Sequence, residues 1–332
     1  MKKWILVVSS LVFLLGACSE SSSKSTEEGE EQTSVKVMLD WFPNTNHTGL
    51  YVAKEKGYFE EEGLDVEILQ PGENANVNSM VASGEIDFGV GYQEGVTQAR
   101  DQGIPLVSIG AILQHNTSMF ASLEETDIHS VKDFEGKRYG GWGSPVEEAM
   151  LQAVMKQAGA DYSSVENINV GATDFFKAIG RDADFMWIYY GWDGVEAERR
   201  GKELNLQRVR DLHPALDYYT PLLTTSESLM KDKPDVAEAF MHAVTKGYED
   251  AIQNPEEAAS MLIEANPELN EELVYESQEW LSPRYQEDAS QWGIQEVDRW
   301  EDYGNWMKEQ GLIQSSFDAE SAFTNEFLPE GD

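Results

Sequence analysis

Residues 39–51, Leu39-Asp40-Trp41-Phe42-Pro43-Asn44-Thr45-Asn46-His47-Thr48-Gly49-Leu50-Tyr51, pass from an apolar run into a helical one through a polar, aromatic turn. The run 35–39 is apolar enough for a β-strand. Residues 48–56 carry Leu50, Tyr51, Ala53 and Lys54 at helical spacing, and Gly57 is placed to stop the helix. A strand feeding a helix in this way is a βα unit, and in open α/β sheets ligands sit at the carboxyl ends of the strands. The grammar repeats outward from there. Strands are expected at 64–69, 86–90 and 105–113, and helices at 75–82 and 96–100, the alternation that implies mostly parallel sheets.

Residues 118–123 read as a connecting strand, after which the pattern starts again. A strand at 137–141 precedes Gly143-Ser144-Pro145-Val146-Glu147, in which Ser144 is the N-cap, Pro145 the first helical residue and Glu147 the partner in a capping box. That helix should run to 157 and stop at Gly159. Strands follow at 165–170 and 184–190, the latter opening into Gly191-Trp192-Asp193-Gly194 and a charged helix through Arg200, with a further strand at 206–209. Residues 218–224 read as a return crossing. Beyond it, 235–252, 255–264, 271–281 and 295–310 show apolar residues at spacings of three and four, helices expected to pack back on the first lobe. The restart implies two lobes, 35–120 with 222–332, and 121–221. The expected fold is α/β, with two mixed sheets flanked by helices and a hinge of two crossing segments. It resembles the two-lobed type II periplasmic binding proteins, which close on a ligand.

The first residues bear on location. Lys2 and Lys3 precede an apolar run, 4–15, too short to span a membrane, and Leu15-Gly16-Ala17-Cys18 resembles the lipobox at which a bacterial signal is cut and the cysteine lipidated. Residues 1–18 are therefore expected to be a lipoprotein signal, Cys18 the anchor and the outer face of the cytoplasmic membrane the location; the alternative is an ordinary signal with a free thiol. Residues 19–34 hold no large apolar side chain and read as a disordered tether. Cys18 is the only cysteine, so no internal disulfide forms. With 24 Lys and Arg against 61 Asp and Glu the formal charge is −37, which excludes nucleic acid as a partner and describes a solvated acidic surface.

The turn at 39–51, continued by Ala53-Lys54-Glu55-Lys56-Gly57-Tyr58-Phe59-Glu60 and Glu62-Gly63-Leu64, resembles the start of a family that handles thiamine pyrimidine precursors. The family includes the ThiY-type binding components of ABC importers and the yeast enzyme that makes hydroxymethylpyrimidine phosphate. The resemblance continues through Gly84-Glu85-Ile86-Asp87-Phe88-Gly89, Asp133-Phe134-Glu135-Gly136-Lys137 and Gly191-Trp192-Asp193-Gly194-Val195-Glu196. It implies a solute-binding lipoprotein for a formylamino- or hydroxymethyl-aminopyrimidine in thiamine salvage, partnered by an ABC permease and ATPase. The family's enzyme carries a pyridoxal-phosphate lysine and a nearby histidine just after its Asp-x-Gly strand. Here Gly89-Val90-Gly91-Tyr92-Gln93-Glu94-Gly95 has neither, and Tyr218-Tyr219-Thr220-Pro221 stands where that enzyme is cysteine-rich. A carrier without cofactor is expected, not an enzyme.

A flat ring with an exocyclic amine needs aromatic faces and acceptors for its N–H groups. Trp41, Tyr92, Trp142, Tyr189, Tyr190 and Trp192 are the candidate faces; Asp40, Glu94, Asp193 and Glu196 the acceptors; Asn44, Gln93 and Ser144 the donors; and His47 lies near the expected pocket mouth. Each has a plainer role open to it. Asp40 could satisfy turn donors, Asn44 could be a cap, Ser144 is a cap in either reading, and Glu196 could pair with Arg200 four residues on. Adjacent residues on a strand point oppositely, so at most one of Tyr189 and Tyr190 faces a cleft squarely. Trp187, Trp280, Trp300 and Trp306 are expected to pack. None of the nominated pocket segments contains an arginine, which weighs against sulfonate or nitrate; a riboflavin-like solute is the other alternative on this scaffold. The five histidines, His47, His115, His129, His213 and His242, lack metal-site spacing, and no Gly-x-Ser-x-Gly elbow is present.

Overall fold

A computed structural model describes residues 32–72, 75–171 and 173–330. The proposed signal and Cys18, with the tether up to residue 31, lie outside the described residues. Ten strands run in chain order: β1 (Thr33–Met38), β2 (Leu64–Leu69), β3 (Phe88–Gly91), β4 (Leu106–Ala111), β5 (Ser118–Leu123), β6 (Arg138–Gly141), β7 (Glu166–Asn169), β8 (Phe185–Tyr189), β9 (Leu204–Arg208) and β10 (Leu222–Ser226). They form two five-stranded mixed sheets, in the orders β2-β1-β3-β10-β4 and β7-β6-β8-β5-β9. In the first sheet β1 runs parallel to β2, from Thr33 opposite Leu64 to Met38 opposite Leu69, and parallel to β3; β10 runs antiparallel to β3 and β4. In the second, β6 is parallel to β7 and β8, while β5 is antiparallel to β8 and β9.

β5 corrects the expectation of a connecting strand. Met119, Phe120 and Ala121 are all buried, and the strand is paired on both edges inside the second sheet. The first crossing is thus only 112–117.

Helices Pro234–Gln253, Pro255–Ala265 and Glu271–Gln286 bury Phe240, Val244, Tyr248, Leu262, Val274 and Tyr285 against Val35, Val37 and Phe88 of the first sheet, as expected. The helix Thr48–Glu55 crosses Pro234–Gln253 closely: a Cβ on Gly49 would stand 2.3 Å from the Tyr248 ring, and one on Gly247 2.1 Å from the Gly49 carbonyl oxygen. The 271–281 helix continues one more turn to Gln286, through Pro283. Proline removes a backbone donor and strains a helix interior. Here the extra turn carries Tyr285 into the core, with its hydroxyl donating to the Thr45 carbonyl oxygen and its ring 5.1 Å from Tyr248.

The last helix, Val297–Glu309, departs from the expected placement on the first lobe alone. Trp300 packs with Met38, Val96 and Leu222 beside the first sheet, whereas Tyr303, Trp306 and Met307 pack with Phe120, Tyr139 and Trp187 of the second. The crossings 112–117 and 209–221 run side by side next to it. The Ile112 N–H donates to the Pro221 carbonyl oxygen at 3.0 Å, and the Asn116 N–H and side-chain amide reach Asp217 Oδ1 at 3.0 Å and the Leu216 carbonyl oxygen at 2.9 Å. His115 Nδ1 meets Asp217 Oδ2 at 2.5 Å. The Arg299 guanidinium donates to the Gln114 carbonyl oxygen and lies 4.5 Å over the Tyr219 ring, tying the last helix to both crossings. No helix among the described residues is long and apolar enough to cross a membrane.

Candidate ligand-binding site

The turn after β1 is organised by Asn44. Its side-chain oxygen accepts the Asn46 N–H at 2.9 Å, capping the 3-10 turn Thr45–His47, and its own backbone N–H donates to His47 Nδ1 at 3.2 Å. A backbone N–H can only donate, so Nδ1 is the acceptor there and Nε2 is left to donate. Nε2 points at Asp40 Oδ1, 2.6 Å away, and the Tyr92 hydroxyl donates to Asp40 Oδ2 at 2.5 Å. Burial pushes the Asp40 carboxyl up, but His47 and Tyr92 more than offset it and hold the group below its usual value. Burial, then the Asp40 charge, raises Tyr92 well above an ordinary phenol, so it stays a donor. Each Asp40 oxygen keeps a lone pair for a further N–H. His47, expected near the pocket mouth, is wholly buried and orients Asp40 instead.

Trp41 is 39% exposed and Trp142 42%, at the carboxyl ends of β1 and β6, and Phe42 beside Trp41 is 61% exposed. Exposed aromatics concentrated at strand ends are surface left for a partner. Trp142 is displayed by a built turn. The buried Glu147 accepts the N–H groups of Trp142 and Ser144, each at 3.0 Å, and the Tyr139 hydroxyl at 2.8 Å. Gly143 takes φ 87°, and any Cβ there would meet Asn169 Nδ2 at 2.4 Å. Behind Trp142 lies the Trp187 ring, 5.8 Å away.

β3 ends at Gly91, and the helix Gln93–Asp101 begins two residues later. Gln93, expected as a ligand donor, is instead spent on the hinge: Oε1 accepts the Tyr219 N–H at 2.7 Å, Nε2 donates to the Arg299 carbonyl oxygen at 3.4 Å, and its backbone N–H donates to the Tyr219 carbonyl oxygen at 3.1 Å. Glu94 turns the other way. Its carboxyl is buried, Oε2 has no hydrogen-bond partner, and burial pushes its pKa up to about 8. Tyr189 lies close, its hydroxyl 3.3 Å from Thr220 Oγ1, and is raised by burial and then by the Glu94 charge.

Several other candidates are committed elsewhere. Tyr190 points away from Tyr189, donating to Glu198 with its ring 5.1 Å from Trp280. Ser144 caps its helix, and Glu196 pairs with Arg199 at 3.0 Å and Arg200 at 2.6 Å. Trp192 packs against the first core, and Asp193, in a single π turn at Tyr190–Gly194, has its pKa pushed up to about 7 by burial and Asp174. The group the structure gathers is thus Asp40, Tyr92, Glu94 and Tyr189, with Trp41 next to Asp40 in the chain and Trp142 exposed at the carboxyl end of β6. Sequence reasoning missed the supports Glu147 and Thr220, for which the capping box and the Tyr218-Tyr219-Thr220-Pro221 motif were the available signals. Two surface cavities, of about 190 Å³ beside Arg100 and about 410 Å³ beside Arg138 and Arg181, lie apart from this group. Their arginines are already paired, with Glu227, Asp184 and Asp182. No group of three or more His, Cys, Asp or Glu side chains that could hold a metal occurs among the described residues.

The chain matches the family described as NMT1/THI5 like over residues 44–258. It is 31% identical over 330 residues to the formylaminopyrimidine-binding protein of Halalkalibacterium halodurans, covering 98% of this chain and 99% of that protein. It is 27% identical over 305 residues to the 4-amino-5-hydroxymethyl-2-methylpyrimidine phosphate synthase of Legionella pneumophila, covering 89% and 92% of the two chains. The periplasmic aliphatic sulphonate binding protein SsuA of Escherichia coli superimposes with a TM-score of 0.67 at 13% identity, over 90% of this chain and 94% of that one. The fold is the two-lobed one of periplasmic binding proteins, as the sequence led us to expect.

Proposed function

This chain belongs to the NMT1/THI5-like family, and on that premise we propose that it is the solute-binding component of an importer that captures a small aminopyrimidine, a formylamino- or hydroxymethyl-substituted precursor of thiamine. One observation carries the reading: an Asp40 carboxylate pinned by His47 and Tyr92 and followed in the chain by the exposed indole of Trp41, with a second exposed indole, Trp142, at the carboxyl end of β6. Stacking faces with a fixed acceptor suit a flat ring bearing an exocyclic amine. No arginine stands among the gathered residues, which favours a neutral or cationic solute over a sulfonate or nitrate. The segment 89–95 supplies Tyr92 and Glu94 and no lysine or histidine, which favours capture over synthesis.

In this proposal the lobes close on the ligand, a lipid on Cys18 holds the protein at the outer face of the cytoplasmic membrane, and a permease with its ATPase receives the cargo. Calorimetry on the protein lacking residues 1–18 tests the ligand. We expect tight binding of N-formyl-4-amino-5-aminomethyl-2-methylpyrimidine or hydroxymethylpyrimidine. Binding of riboflavin or an alkanesulfonate alone would overturn the ligand and leave the carrier role. Incorporation of a palmitate analogue by the full chain, abolished by Cys18→Ala, is the expected mark of the anchor.

A further inference from the structure

Among the buried side-chain polar atoms without hydrogen-bond partners are Glu94 Oε2 on the helix Gln93–Asp101, Trp187 Nε1 on β8 and the Tyr303 hydroxyl on the last helix. Buried polar groups are rarely left unpaired, so a cluster of them marks a place built for something polar. Contacts link the elements that carry them. Gln93 holds Tyr219 through two hydrogen bonds, Tyr189 reaches Thr220, and the Tyr218 and Tyr303 rings stand 4.3 Å apart. Trp187, Tyr218 and Tyr303 share one packed cluster. The Glu94 charge acts on Tyr92, Tyr189, Tyr218 and Tyr303, so these face it from the ends of β3 and β8, the return crossing and the last helix.

None of those neighbours is cationic. Arg299, on the last helix, is occupied by the Gln114 carbonyl oxygen and the Tyr219 ring, and His115, on the first crossing, by Asp217. The other carboxyl of the site, Asp40, has two hydrogen-bond donors and is ionised, and its charge also reaches Tyr92 and Tyr189. Two carboxyls therefore act on the same pair of tyrosines in opposite environments: Asp40 takes hydrogen bonds from two side chains, whereas Glu94 has only its own backbone as donor and keeps Oε2 without a partner. Such a pair takes opposite protonation states and opposite roles.

We propose that Glu94 acts in its neutral, protonated form as a hydrogen-bond donor which, with Tyr303, recognises an uncharged acceptor group on the ligand, the carbonyl of a formylamino substituent. This rests on the aminopyrimidine reading and deepens it: Asp40 takes the ring amine, and the Glu94 end selects formylamide over free aminomethyl. A cationic aminomethyl group would need a carboxylate there. The ligand stabilises the protonated acid, so binding takes up a proton at alkaline pH.

The test is calorimetry with N-formyl-4-amino-5-aminomethyl-2-methylpyrimidine and its deformylated analogue from pH 7 to 9.5, in two buffers of different ionisation enthalpy. With a Glu94 pKa of about 8, affinity for the formyl compound should fall about 30-fold across that range, approaching tenfold per pH unit. Proton uptake should approach one per ligand at the alkaline end. Glu94→Gln, which keeps a donor that cannot ionise, should flatten the profile. A flat wild-type profile without proton uptake, or tighter binding of the aminomethyl compound, would overturn the proposal. The uptake measurement needs no variant, so the test survives if Glu94→Gln does not fold. Absence of any aminopyrimidine binding would instead sink the functional reading beneath it.

Discussion

Tyr92→Phe isolates one hydrogen bond of the site at almost no cost in shape. The ring stays, no cavity opens, and Asp40 Oδ2 loses the hydroxyl at 2.5 Å while Oδ1 keeps His47 at 2.6 Å. A hydrogen bond to a charged group contributes about 1.5–3 kcal/mol, so about 2 kcal/mol of stability should be lost at neutral pH. For some 300 residues the unfolding entropy is about 0.6 kcal/mol/K, which makes that a drop of about 3 °C in Tm. The pH dependence follows from Asp40. Its folded pKa is depressed, so its stabilisation is present above the unfolded value near 3.9 and is lost as pH falls through the lower folded value. Because losing the hydroxyl would remove part of that depression, the deficit of the variant should hold constant from pH 7 to 5 and shrink below about pH 4. Urea unfolding followed by circular dichroism at pH 7, 5 and 3.5 measures this. A variant as stable as wild type at pH 7, or a deficit unchanged on acidification, would refute the ionised, Tyr92-held Asp40.

Three further predictions rest on separate features. Trp41→Ala should weaken aminopyrimidine binding by about tenfold, the loss of a stacking face; an unaltered Kd would make Trp41 a bystander. Gly49→Ala forces a methyl to within 2.3 Å of the Tyr248 ring and should destabilise the protein by about 1–3 kcal/mol in urea, from overpacking. His115 is raised above its usual value by Asp217, so it stabilises below pH 6.5 and that contribution fades as pH rises through the higher folded value. His115→Ala should therefore lower Tm more at pH 6 than at pH 9, and equal losses at both would contradict the pairing.

What was legible in the sequence was what neighbours in the chain decide. The strand, turn and helix of 35–56, the capping box at Ser144 and Glu147 and the stop at Gly159 are local devices, and they appear where periodicity and turn chemistry put them. What was not legible depended on partners far away. An apolar run such as 118–123 looks alike whether it connects two sheets or completes one, and the 3.6-residue period of 297–309 does not reveal that Trp300 and Trp306 serve different cores. The same limit governs the site. A polar residue at a strand end is equally suited to a cap, a hinge bond or a ligand, and of Gln93 and Glu94, adjacent in sequence, only Gln93 is bonded to Tyr219, while Glu94 keeps a buried oxygen without a partner. Asp40 accepts from His47 and Tyr92, seven and fifty-two residues away, and neither bond has a signal in the local sequence.

The last helix has a mechanical consequence. Two ribbons of chain between two plates allow both bending and torsion. A third connection, set off from the line of the other two, removes the torsion and leaves a single axis of flexure. With Trp300 seated in one core, Tyr303 and Trp306 in the other, and Arg299 clasping both ribbons, Val297–Glu309 is such a third connection. Flexure between the two cores would then have one coordinate, with Tyr303 carried on that helix beside Tyr218.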